Sequence, residues 1–126
     1  MIDEIMWEKE ISKEKMNWND AMEYAKNLRQ RGYDDWRLPN ISEFGNMVTL
    51  CGGEWVLWDD KDSNEKMYRN RENTTYQESY KKLGFASSFY WSADTYGSSH
   101  ALRVYFGYGR QSHTSKTESH FVRCVR

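Results

Sequence analysis

Apolar residues spaced by three and four run through Trp18, Ala21, Met22, Ala25 and Leu28, the pattern of one helical face. Asn17 stands where an N-cap is needed, and Asp20 follows at the third helical position, the spacing of a capping box. Gly32 supplies a C-terminal stop. The pattern predicts a helix over residues 18–31. A second stripe, Ile41, Phe44, Met47 and Val48, follows Asn40 as cap and Glu43 at the third position, and Cys51-Gly52-Gly53 ends it. Between the two helices, DDWRLPN reads as a short extended piece burying Trp36 and Leu38. Pro39, the chain's single proline, holds Leu38 out of the helical region.

Elsewhere the period is two. Residues 5–10 predict a short strand with Ile5 and Trp7 on one face. Residues 89–93 predict another, Tyr96-Gly-Ser-Ser a turn, and residues 101–106 a third strand. In that third strand Leu102, Val104 and Phe106 face one way, and Arg103 and Tyr105 the other. Residues 121–125 predict the last strand. Just before it lies YFGYGRQSHTSKTESHF, residues 105–121, polar and with no helical or strand period. Residues 54–82 fit neither pattern: 59–75 are charged and predict a surface insertion, and 76–83 a helical turn or two. No Gly/Ser linker divides the chain. The expectation is one domain over residues 1–126 of class α+β, with two helices packed on a small antiparallel sheet completed by the C-terminal strand.

Composition alters this picture in one respect. Six Trp and nine Tyr are many for 126 residues, so rings build the core, line the surface, or do both. Charge excludes more than it suggests. A net charge of −1 gives no global field for nucleic acid. Residues 1–83 carry 13 Lys/Arg against 17 Asp/Glu, and residues 84–126 carry 5 against 2, so the tail is mildly basic. No apolar run approaches the ~20 residues of a membrane span, and the acidic opening MIDEIMWEKE is no secretory signal. Cys51 and Cys124 lack a CxxC spacing and leave two states open, one disulfide or two buried free thiols.

Candidate chemistry is thin. His100, His113 and His120 lie thirteen and seven positions apart in unpatterned polar sequence, which predicts exposed imidazoles rather than a metal site. WDDKDSNEK opens like a calcium loop, but from Asp60 the sixth position is Glu65 and the twelfth Arg71, where that loop needs Gly and Glu. The motifs GxSxG, Walker A, HExxH and GxGxxG are absent. WND at residues 18–20 and LPN at 38–40 imitate calcium–sugar motifs of animal C-type lectins, but in reversed order and without the leading Glu; they read as capping and packing elements. No catalysis, metal or cofactor is expected.

The tail supplies the positive signal. Eight of twelve Ser fall within residues 87–120, among Tyr, Gly, Thr, Arg and His, the composition of a binding surface made from rigid aromatics and small adaptable polar groups. Trp18, Ala21 and Ala25, then GYDDWRLPN at 32–40, YWS at 90–92 and VRCVR at 122–126 together resemble a bacterial and viral domain family of C-type-lectin fold, one that also ends a collagen-like adhesin. Within it, the tail resembles the variable proteins of diversity-generating retroelements, in which a reverse transcriptase mutates template adenines.

The resemblance implies a fixed scaffold, A-x-x-V-x-F-x-x-G, at Ala101, Val104, Phe106 and Gly109, with Lys116 fixed further on. It implies a variable ligand-binding region at about residues 94–120, made of Tyr96, Ser98, His100, Arg103, Tyr105, Gly107, Tyr108, Arg110, Ser112, His113, Thr114, Ser115, Thr117, Ser119 and His120. From Arg103 onward, all are residues that an adenine-mutated Asn codon can reach. Gln111 and Glu118 are not reachable, so the idea requires both to be fixed. The implied function is recognition of a protein or glycan ligand, on a virion or cell surface, with anchoring to a larger assembly. The alternative is a fixed-specificity adhesin or carbohydrate-binding module of the same fold.

Overall fold

The computed structural model describes residues 5–126; residues 1–4, the start of the acidic opening, lie outside the described residues. Helix α1 spans Trp18–Asn27, with the Asn17 side chain accepting from the Asp20 amide at 2.8 Å. It ends earlier than the stripe predicts: Leu28 is already extended, and Arg31 and Gly32 turn with φ of 57° and 80°. Tertiary contacts decide this. The Gln30 carbonyl accepts from the Trp36 indole at 3.3 Å, and the Gln30 amide donates to Glu8 at 3.3 Å. Together they outweigh the few tenths of a kcal/mol per residue that helix propensity offers. Helix α2, Ile41–Leu50, has both halves of the capping box. Its Glu43 also receives two hydrogen bonds from Arg37, at 2.8 and 2.9 Å, which hold its carboxyl below the usual range.

Residues 54–82 are more than a surface insertion. They carry α3, Ser63–Glu72, and α4, Thr74–Lys82. Tyr76 and Tyr80, one turn apart on α4, are fully buried, and Asn70 of α3 is 1% exposed. Both phenols are satisfied: Tyr76 donates to the Phe106 carbonyl and Tyr80 to Gln77. A tyrosine pair at helical spacing is an apolar stripe with polar tips, which a polar composition conceals.

The sheet has three antiparallel strands in sequential order: β1 Phe89–Tyr96, β2 His100–Tyr105 and β3 Arg110–Ser115. Strand β3 corrects the expectation that residues 105–121 have no regular structure. Its pattern is too polar to announce it; pairing creates it. It runs in regular register along β2, and Val56 bridges Arg110 on its other side.

Both faces of the sheet are packed, so Tyr90 and Trp91 enter different clusters. Tyr90 and Val104 join Phe44, Val48, Tyr76, Tyr80 and Phe106. Trp91 and Ala101 join Ala21, Ala25, Trp36 and Leu38.

Residues 121–125 do not form the expected strand. They make single bridges instead, Phe121 to Tyr90 and Val125 to both Trp7 and Arg37. The expected strand at 5–10 likewise reduces to the Trp7 bridge, and Ile5 is 36% exposed. Side chains fix this region. Buried Arg123 donates to the carbonyls of Glu8, Lys9 and Leu83 at 2.7, 3.1 and 2.6 Å, with its guanidinium over Phe85. Buried Glu8 accepts from Tyr24, Gln30 and the Cys124 amide. Among the described residues, no helix is long and apolar enough to cross a membrane.

Candidate functional site

The strand register sorts the tail residues. Phe89, Tyr105 and Arg110 form one cross-strand row, and Trp91, Arg103 and Ser112 the next, so all six side chains share a face. At the Trp91 end α1 covers that face. At the other end it is open and forms a cavity of about 480 Å³ floored by Phe89, Arg103, Tyr105, Arg110 and Ser112, with Met67 of α3 and Tyr108 at its rim.

Arg103 is held rigidly there. It donates to Ser112 at 3.0 Å and to Glu118 at 3.2 Å, and its guanidinium lies 3.9 Å from the Phe89 ring centroid. Burial lowers its pKa, and Arg110 lowers it further. Arg110 donates to the Trp58 carbonyl at 3.2 Å and leaves its Nε without a partner. Tyr105 and Tyr108 stand 4.9 Å apart. The site therefore presents two cations and several aromatic rings.

On the opposite face, Tyr96 and His113 stack with ring centroids 4.0 Å apart, and Trp58 abuts both edge-on. His100 and His113 approach Nδ1 to Nδ1 at 3.1 Å, so one imidazole donates and the other accepts. Ser98 and Thr117 are exposed at turns, Ser119 is exposed just beyond the second, and Ser115 is half-buried.

Three of the residues assigned to display are buried: Gly107, Thr114 and His120. The expectation of exposed histidines fails at His120. Its ring packs edge-on against Trp91 and lies 3.1 Å from Arg103 Nη1. Burial, with Arg103 beside it, pushes its pKa down to about 4, so the ring is neutral and can accept from the guanidinium. Thr114 donates to Glu118 at 2.6 Å. A Cβ on Gly107 would stand 2.5 Å from Ser87 Oγ and 2.7 Å from the Tyr105 ring, so any side chain there must displace both.

The scaffold positions behave otherwise. Ala101, Val104 and Phe106 are fully buried. Gly109 has φ +60°, and a Cβ there would meet Asn70 at 2.6 Å. Lys116 donates to the Ser98 carbonyl and lies over the Trp18 ring. Gln111 and Glu118 both have structural partners. Gln111 is 8% exposed and donates its backbone N–H to Val56, and Glu118 accepts from Thr114 and Arg103.

Sequence reasoning missed Trp58, Phe89 and the α3 residues. Met67-Tyr68 is the only apolar pair in α3 and the one signal that could have flagged it. The larger hollow, about 690 Å³, lies between α1 and residues 34–38, away from the tail, with charges of both signs.

Cys51 and Cys124 are free and buried in separate clusters. Burial pushes both thiols up, and Glu8 adds to the effect at Cys124. Asn40 of LPN caps α2, and Asp20 of WND donates its amide to the capping Asn17, so both lectin-like motifs stand at helix starts.

No curated protein matches the chain. A family model described as the Lcl C-terminal domain matches residues 2–126. Within that span the described residues form four helices and a three-stranded antiparallel sheet, an α+β arrangement consistent with a C-type lectin-like fold. The chain therefore belongs to the Lcl C-terminal domain family.

Proposed function

We propose that the protein is a receptor-recognition module whose tail residues are diversified by a retroelement and displayed on a virion or cell surface. The observation that carries this reading is a coincidence of two divisions. The scaffold positions Ala101, Val104, Phe106 and Gly109 are buried, whereas Arg103, Tyr105, Tyr108, Arg110 and Ser112, among and just after them, line an open cavity. A backbone held from behind tolerates exchange at its open side chains, because surface substitutions usually change stability by only about 0.5 kcal/mol. Ligand contact belongs to the open residues on the two faces and turns. Gly107, Thr114 and His120 vary, if at all, only within packing limits.

A chemistry that needs a reactive cysteine pair is disfavoured, because the two thiols lie in separate clusters and both are disfavoured as thiolates. The ligand is a protein or glycan on a target surface, and display on a larger assembly follows from the family resemblance.

Deep sequencing of the 3′ end of the gene across a natural population tests the proposal. Substitutions should crowd into codons 96–120 and spare Ala101, Val104, Phe106, Gly109, Gln111, Lys116 and Glu118. A tail as uniform as the helices would remove diversification. It would leave a fixed-specificity adhesin or carbohydrate-binding module, for which a glycan array is the assay.

A further inference from the structure

The open cavity does not stop at the tail. A second hollow of about 260 Å³ is bounded by Asn64, Met67, Tyr68 and Arg71 of α3 together with Tyr108. Met67 and Tyr108 line both hollows, so the two make one groove, half from the tail and half from a helix outside it. Its chemistry is one-sided. Three arginines and three tyrosines line it, with no Asp or Glu, in a chain whose net charge is −1. Arg110 is the cation without a carboxylate, because Arg103 has Glu118 and Arg71 has Glu72 at 3.8 Å. The Arg71 guanidinium lies over the Tyr68 ring, 5.2 Å from its centroid. Planar guanidinium forks match carboxylates in bidentate geometry. Rigid tyrosines give contact area at low entropic cost, and a methionine at the waist adapts to irregular shape.

We propose that this groove takes an extended acidic peptide segment of a partner protein. Its carboxylates pair with Arg110 at one end and Arg71 at the other, and its backbone crosses Met67 between Tyr105, Tyr108 and Tyr68. The carboxylates of Glu72 beside Arg71 and Glu118 beside Arg103 disfavour a continuous polyanion and leave room for discrete acidic side chains. The proposal rests on the tail being a ligand-binding face, and it assigns α3 to the site as its unvarying half.

The test is fluorescence anisotropy on the full chain, with a short labelled peptide of alternating Glu and Ala, its Gln counterpart, and a heparin oligosaccharide as competitor. The Glu peptide should bind, and the Gln peptide should bind at least about ten-fold more weakly, the loss of roughly one charge-assisted contact. Arg71→Met and Arg110→Met should each weaken binding about five-fold or more. Arg71 is 55% exposed, so its variant keeps the fold. If thermal melting shows Arg110→Met unfolded, Arg110→Lys should give an intermediate loss. Absence of Glu-peptide binding, or equal binding of the Gln peptide, overturns the proposal. An effect of Arg110→Met with none of Arg71→Met removes α3 from the site. Heparin binding tighter than the peptide, with the same arginine dependence, makes the ligand a polyanion instead. None of these outcomes touches the sequencing result, so a hypervariable tail without peptide binding would cost only the ligand class.

Discussion

Asn70→Ala gives the most direct test of how the tail is held. The Asn70 side chain is 1% exposed and makes three hydrogen bonds: it accepts from the Glu54 amide at 2.8 Å and donates to the carbonyls of Glu54 at 2.7 Å and Tyr108 at 2.8 Å. It is thus the strut between α3, the segment entering Val56 and the β2–β3 turn. Truncation to Ala strands three backbone groups, at about 1 kcal/mol each with part of the loss relieved by water. The expected destabilisation is about 3 kcal/mol, or a fall in Tm of about 10 °C for a domain of this size. Urea titration with unchanged m-value measures it.

Asn70→Asp sharpens the test. It keeps the acceptor for the Glu54 amide but turns a donor toward two carbonyls into a charged acceptor. At neutral pH it should cost more than Ala. Burial raises the introduced carboxyl above its unfolded value, so its excess penalty should shrink as pH falls toward 4, where the protonated acid can donate. A loss under about 1 kcal/mol for Asn70→Ala, or an Asn70→Asp penalty equal to that of Ala at every pH, would refute the strut.

Two further outcomes follow from the same region. His120 titrates near 4 when folded, below its unfolded value of about 6.5. The stability it contributes is therefore full above pH 6.5 and lost as pH falls from about 6.5 to about 4, by on the order of 3 kcal/mol at most. His120→Gln should flatten that part of the pH profile. Gly109→Ala should cost about 2 kcal/mol or more from left-handed strain and crowding, because a Cβ there meets Asn70 at 2.6 Å. Gly97→Ala, at φ +72° with nothing within 4 Å, should cost about 1 kcal/mol; equal losses in thermal melts would mean that Gly109 is not wedged.

Local signals carried much of this fold. Asn17 and Asn40 announced the starts of α1 and α2 because capping is decided within four residues. The inward positions Val104 and Phe106 and the opposite pair Arg103 and Tyr105 were legible from alternation, whereas Ala101, buried on the Arg103 face against Trp91, was singled out only by the family resemblance. What failed was whatever depended on partners far along the chain. Strand β3 owes its existence to β2 and Val56. The early end of α1 follows from Gln30 contacting Glu8 and Trp36. His120 looks like a displayed polar residue until Trp91 and Arg103 close around it. Composition marked the tail as a binding-type stretch and the family resemblance named its individual residues, whereas Met67 and Arg71 were hidden in a helix that reads as solvated charge.

Residues 121–126 follow the proposed variable region in sequence yet sit at the structural centre. Val122, Cys124 and Val125 are fully buried, and Arg123 and the Cys124 amide bond to residues 8 and 9. Burying such side chains contributes roughly 1.5–3 kcal/mol each, so their loss rivals the 5–15 kcal/mol that keeps a typical domain folded. A stop codon or frameshift introduced anywhere in residues 96–120 would then yield a chain that cannot fold at all. Error-prone copying of that stretch would be proofread by the fold itself: only tails left in frame would complete the domain and reach display.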